Sequence, residues 1–232
     1  MKKIALTGLV VLIGYQLGFA QSFDSTGGWE CEHYTTGNQT YIVGGNGVQD
    51  QVTVPSSVYD PNNLSTYTVT NLGNGQDPVW NDKMSALTTP STLQTINSYS
   101  CAFLQYLAIV NVGGQPTIEP YAFLDCPSLQ SVPSISNDIG DSAFEGCTKL
   151  RNVGLKDGVT KIGKRAFANC KNLKSLTIPR TVISIAPDAF VGSGLKQVTV
   201  NRGQLVQYPK LPKGAFVRIR ETPPSLPPPA IY

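Results

Sequence analysis

The feature that most constrains this chain is a recurring apolar spacing, because a fold must satisfy every copy of it at once. TIEPYAFLDCPSLQSV sets Ile118, Ala122, Phe123, Cys126, Leu129 and Val132 at intervals that DIGDSAFEGCTKLRNVGL reproduces at Ile139, Ala143, Phe144, Cys147, Leu150 and Val153. KIGKRAFANCKNLKSLTI repeats them at Ile162, Ala166, Phe167, Cys170, Leu173 and Leu176. A further copy, SIAPDAFVGSGLKQVTV, keeps Ile185, Ala189, Phe190 and Val198, has Ser193 in place of the cysteine, and drops one residue before Leu195. The phenylalanines therefore recur after 21, 23 and 23 residues. Upstream, TINSYSCAFLQYLAIVNV reads as a weaker copy with Phe103 in the ladder, Tyr106 at the cysteine position and Ile96 two residues too far back.

A unit this short cannot close a core alone, so its apolar positions make sense only if neighbouring units stack and share one. Within a unit, Leu176 and Ile178 face one way and Thr177 the other, which is the period of a strand. The AF pair followed by a small polar turn suits a short helical or 3-10 corner with the ring turned inward. Pro179 and the Gly and Asp residues of KDGV and DIGD mark bends. The expected fold is a repeat solenoid, mostly β with short helical or 3-10 corners. Composition agrees: 14% charged residues, 22 glycines and 17 prolines favour short strands and turns over long surface helices.

The IGxxAFxxCxxLxxLxIP unit resembles the BspA-like leucine-rich repeat of exported surface proteins. The match is close from Ile118 to Val200 and looser from Leu87 to Val112. VTVPSSV and STYTVTNLG are similar to the capping segment that opens such arrays. The expected organisation is a signal peptide at 1–20, an N-terminal capping segment at 21–85, the repeat array at 86–200, and a C-terminal segment with a Pro-rich end at 201–232. The resemblance implies a non-enzymatic binding module, secreted or at the cell surface, that acts in adhesion or in recognising host or bacterial surface components.

The first residues fit export independently. Lys2 and Lys3 precede an apolar stretch from Ile4 to Phe19, and Gly18 and Ala20 lead to Gln21, the layout of a secretory signal cleaved near Ala20. The stretch is too short and glycine-interrupted for a comfortable transmembrane span. The mature chain is expected to be secreted, periplasmic or held at the cell surface.

An exported chain can oxidise its thiols, and five cysteines leave at least one unpaired. Cys126, Cys147 and Cys170 share one repeat position and are read as a core ladder beside Phe123, Phe144, Phe167 and Phe190, since free cysteine packs as a small hydrophobe. A disulfide between adjacent coils is geometrically open, because stacked strands lie about 4.8 Å apart. Three thiols in a line do not converge on a metal as a zinc site requires. Cys31 and Cys101 fall outside the ladder, and a bridge between them is conceivable.

No cofactor, metal site or catalytic residue is expected. The sole histidine, His33, lies in the capping region, which confines every Cys-His or Ser-His mechanism to that place. Asp138 and Asp141 flank a bend, where carboxylates stabilise turns. No GxSxG, HExxH or phosphate-cradling loop occurs.

Charge is distributed unevenly. Between Gln21 and Thr148 twelve Asp and Glu residues face one base, Lys83, whereas Lys149 to Arg220 holds fifteen Lys and Arg against Asp157 and Asp188. In a solenoid sequence order is spatial order, so the two signs belong to opposite ends. The basic end suits an acidic glycan, a phosphorylated lipid or an acidic protein patch on host or neighbouring cells. Alternatively, opposite ends of two molecules attract head to tail. Nucleic acid is not an expected partner of an exported chain. The candidate binding residues are Asn152, Ser175, Thr177, Gln197 and Thr199 on the outward strand face, with the flanking bases Lys164, Arg165, Lys174, Arg180 and Lys196.

Overall fold

The computed structural model describes residues 20–24, 30–34, 39–44, 51–75, 83–201 and 212–220. The signal segment expected at 1–20, apart from Ala20, lies outside them. So do the side chains of Cys31 and His33.

The repeats wind into a parallel β-solenoid with a ladder of strands along each of two flanks. On the first flank, antiparallel strands Ala20–Asp24, Glu30–Tyr34 and Gln39–Gly44 lead through Asn71–Leu72 into Thr95–Ile96 and Thr117–Ile118. Single parallel bridges from Ile118 to Ile139 and from Ile139 to Ile162 carry the ladder on to Lys161–Ile162 and Ser184–Ile185. From Thr95–Ile96 onward each coil contributes one buried isoleucine to this flank, which is why the repeat holds Ile at that place, and Leu72 fills it one coil earlier.

The second flank starts with Gln51–Thr53, Ala86–Thr88, Ile109–Asn111, Ser131–Ile135 and Asn152–Leu155. It resumes as a separate sheet of Ser175–Thr177, Gln197–Asn201 and Phe216–Arg220. Strands Gln51–Thr53 and Asn71–Leu72 already extend the two flanks, so stacking reaches into the segment that sequence assigns to the cap. Between them Ser57–Asp60 and Ser65–Thr68 form an antiparallel hairpin.

The corners are chains of tight turns rather than the expected short helices, and among the described residues no helix occurs. The reason is backbone conformation. Tyr121 and Asp125 have φ of 63° and 49°, and the same two places in the next coils are taken by Ser142 with Gly146 and by Arg165 with Asn169, all at positive φ. A left-handed residue at each end of a five-residue stretch breaks a right-handed helix.

Inside the corners the phenylalanine rings stack. Phe123 on Phe144, Phe144 on Phe167 and Phe167 on Phe190 lie 5.2, 5.4 and 5.9 Å apart between ring centres, with interplanar angles of 3°, 4° and 17°. Their backbones join too: Phe123 N–H donates to Ala143 O at 2.8 Å, Phe144 N–H to Ala166 O at 2.9 Å and Phe167 N–H to Ala189 O at 2.8 Å.

That bonding pattern corrects the reading of the upstream copy. Cys101 N–H donates to Ala122 O, as a residue in the phenylalanine slot does, and Phe103 N–H donates to Leu124 O. Cys101 therefore stands where Phe123 stands one coil later, and Leu104 stands at the cysteine position; both are buried. Phe103 and Tyr106 point outward, at 48% and 61% exposure, so neither belongs to the ladder. The AF pair invited a false alignment, whereas counting from Ile96 restores the usual spacing.

Phe167 is stacked on both sides. Replacing it with Ala should cost about 3–5 kcal/mol, as large-to-small core changes of phenylalanine do. Urea unfolding followed by circular dichroism measures this, and a loss under about 1 kcal/mol would show that the ring stack does not hold the coils together.

Candidate functional site

Each ladder cysteine has a defined partner in the coil before it. Cys126 Sγ donates to Cys101 O at 3.0 Å, Cys147 Sγ to Phe123 O at 3.2 Å and Cys170 Sγ to Phe144 O at 3.1 Å. The side chains of Cys101, Cys126, Cys147 and Cys170 are buried and are not bridged to one another. Burial pushes the Cys147 and Cys170 thiols well above the usual range, with the neighbouring Cys126 thiol adding to the effect at Cys147. The thiolate, the reactive form, is thereby suppressed. In the last copy Ser193 takes the cysteine's place, and its buried hydroxyl finds no protein partner. The C–O bond is shorter than C–S, and the chain loses a residue just beyond, before Leu195.

The carboxylates of the acidic half are engaged across coils. Asp138 Oδ1 accepts from Thr160 N–H, Thr160 Oγ1 and Lys161 N–H, each at 2.8 Å, and Asp141 Oδ1 accepts from Lys164 N–H at 2.8 Å. They hold the following coil's turns, as their place at a bend suggests. Where the acidic half meets the basic one, Arg165 Nε donates to Glu145 Oε2 at 3.0 Å and its Nη2 pairs with Oε1. The Arg165 guanidinium, helped by a hydrogen bond from Ser142 and opposed by partial burial, holds the Glu145 carboxyl below its ordinary value. Among the described residues no cluster of three or more potential metal ligands exists.

The strand-face candidates gather where the second flank is interrupted. Asn152–Leu155 ends one sheet and Ser175–Thr177 begins another, although on the first flank the same two coils are joined at Ile139 and Ile162. The cause lies one coil back. From Val132 to Ile139 is seven residues, against nine from Val153 to Ile162, and the shortened coil carries Pro133 inside its strand. Proline has no N–H for the ladder, and Ile109–Asn111 pairs with this strand only at Ser131. Beyond it the pairing with Asn152–Leu155 shifts between Val132 and Ile135. Such an irregularity bends the strand and increases its twist, turning Asn152–Leu155 away from the next coil.

The split opens a groove of about 410 Å³. Asn152, Ser175 and Thr177 line it together with Ser131 and Arg151, while Val153 and Leu155 form the apolar part of its wall. Gln197 and Thr199 lie one coil further on, where Gln197 Nε2 donates to Thr199 Oγ1 at 3.2 Å. Lys174 and Lys196 immediately precede their face strands. Lys164 and Arg165 belong to the corner that follows Lys161–Ile162 on the first flank, Arg165 is occupied by Glu145, and neither lines the groove. Arg180 is exposed in the turn that follows Ser175–Thr177. Arg151 was missed by sequence reasoning, although it holds the same repeat position as Lys174 and Lys196.

Stacked units of strand, turn and tight corner around a ladder of apolar side chains define a leucine-rich repeat solenoid. The profile of the BspA type leucine rich repeat region matches residues 79–196 in six copies, and the chain belongs to that family. Among solved structures it is similar to the pneumococcal vaccine antigen PcpA, with a TM-score of 0.61 and 23% identity over 81% of this chain and 51% of that one. It is also similar to a leucine rich cell surface protein from Faecalibacterium prausnitzii, with a TM-score of 0.51 and 19% identity over 86% of this chain and 50% of that one. A leucine-rich repeat protein from Eubacterium ventriosum matches with a TM-score of 0.50 and 19% identity over 71% and 48%. At these identities the likeness shows the fold, and the chain spans about half the length of these structures. No curated protein sequence matches it. The family fits a non-enzymatic repeat module, and among the described residues no helix is long and apolar enough to cross a membrane.

The buried thiols set a chemical expectation. In a Cys31→Ser variant a thiol-specific chromogenic reagent should find no fast-reacting group in the native protein and four after unfolding, at Cys101, Cys126, Cys147 and Cys170. Rapid labelling of even one before unfolding would contradict a closed core ladder.

Proposed function

We propose that the chain is an exported binding module, secreted or displayed at the cell surface, that recognises components of host or neighbouring bacterial surfaces through its outward strand face. The observation that carries this reading is the polar groove at the split ladder. Its volume falls within the range of about 300–1,000 Å³ typical of ligand sites, and it brings residues of successive coils to one open surface. Extended binding across columns of repeat positions is how such scaffolds work. The Lys2–Ala20 segment supports export, and the similar protein from Faecalibacterium prausnitzii is described as a cell surface protein.

An array of matrix proteins and glycans probed with the mature chain tests this. A Ser175→Trp variant, which fills the groove, should bind its array ligand at least about tenfold more weakly, a change of about 1.4 kcal/mol. A Lys161→Trp variant on the other flank should bind like the parent. Equal binding by parent and Ser175→Trp would remove the strand face as the site.

The charge separation favours a second reading, head-to-tail self-association. It requires light scattering that grows with concentration at low salt and falls to the monomer value at high salt, where screening shortens the Debye length to about 3 Å at 1 M. A monomer at every concentration and salt would discard it.

A further inference from the structure

Arg151, Lys174 and Lys196 occupy the same repeat position in three successive coils, each one residue before its face strand. All three are exposed. Lys174 and Lys196 precede paired strands, about 4.8 Å apart, while Arg151 stands across the split, and like charges so gathered repel one another. Between Lys149 and Arg220 the only acids are Asp157 and Asp188, neither of them at a neighbouring repeat position. Lys174 Nζ donates to Lys171 O, which fixes its head without neutralising it. Among the described residues no ion pair compensates this row of positive charge.

The split lies beside this row. Ile178 N–H donates to Thr199 O, and Lys174 O accepts from Lys196 and Gln197, so every second residue of this strand bonds toward Gln197–Asn201. Ser175 and Thr177, the alternate residues, direct their backbone groups to the opposite side, where the ladder is interrupted. Main-chain N–H groups at a sheet edge form concavities suited to anions. Arg151 reaches the same groove, and Asn152, Ser175 and Thr177 add amide and hydroxyl groups.

We infer that the groove and the basic column together bind a linear acidic polysaccharide, carboxylated or sulfated, laid across the coils so that successive anionic groups meet Arg151, Lys174 and Lys196. A polymer of repeated anions complements cations that stand on both sides of the groove. Hydroxyl and amide lining complements sugar hydroxyls. The lining offers one guanidinium with amide and hydroxyl groups, so recognition there rests on charge and hydrogen bonds. This inference rests on the strand face being the binding surface and names the class of ligand that it takes.

The experiment measures affinity of the mature chain for heparin oligosaccharides and oligogalacturonate, with neutral dextran and polyglutamate as comparison probes. A variant carrying Arg151→Gln, Lys174→Gln and Lys196→Gln is set against a charge-matched variant carrying Lys156→Gln, Lys161→Gln and Lys213→Gln. Circular dichroism melting confirms that each is folded. Expected is salt-sensitive binding of at least one acidic glycan, weakened about tenfold or more in the column variant and changed less than about twofold in the control. Ser175→Trp, which keeps every charge, should weaken it too. Equal losses in the two charge variants, binding of dextran as strong as of the acidic glycans, or a preference for polyglutamate would each overturn the inference. Array binding of a protein or neutral glycan that Ser175→Trp abolishes, with no acidic glycan bound, would overturn it while leaving the strand-face reading intact.

Discussion

Phe144 and Phe167 each join their coil to both neighbours. Each ring lies flat against the rings before and after it and each N–H reaches forward to the next coil's alanine, while the carbonyls of Phe123 and Phe144 accept the next coil's thiol. Burying a ring of this size is a large favourable term, but a stack of parallel rings also fixes the rise between coils. The isoleucine bridges and the face strands inherit that rise. The cysteine is small enough to sit beneath a ring and carries a weak donor for the second lone pair of the phenylalanine carbonyl.

Because the ring stack and the first flank hold the coils in step, the second flank can open without unwinding the solenoid. The two missing residues between Val132 and Ile139, together with Pro133, place an irregularity on that flank alone. The groove is therefore a local defect in one ladder, kept from spreading by the other. Its chemistry follows from position: residues that would pair across a regular ladder line the groove instead, and the basic half of the chain supplies its charged edge.

Much of this was legible in the sequence. The spacing of Ile, Phe, Cys and Leu revealed the solenoid, the inward columns and the outward places of Asn152, Ser175 and Thr177, because a repeat converts linear periodicity directly into geometry. The upstream copy was misread because Phe103 imitates the AF pair two residues late; only the coil-to-coil bonds of Cys101 and Phe103 reveal the register. The helical corners were misjudged because left-handed residues such as Tyr121 and Arg165 carry no compositional mark. The split was illegible for a further reason. It arises from a length difference between coils, and its effect appears one coil downstream. Arg151 was overlooked because its residue type, unlike its register, gave no reason to group it with Lys174 and Lys196.

The second left-handed position of each corner has a rhythm of its own. From Asp125 onward it reads Asp125, Gly146, Asn169, Gly192, and a Cβ on either glycine would meet the side-chain oxygen of the Asp or Asn one coil earlier. Along these four coils a polar side chain alternates with the space that receives it, so any side chain placed at Gly146 or Gly192 would drive its Cβ into the oxygen of Asp125 or Asn169.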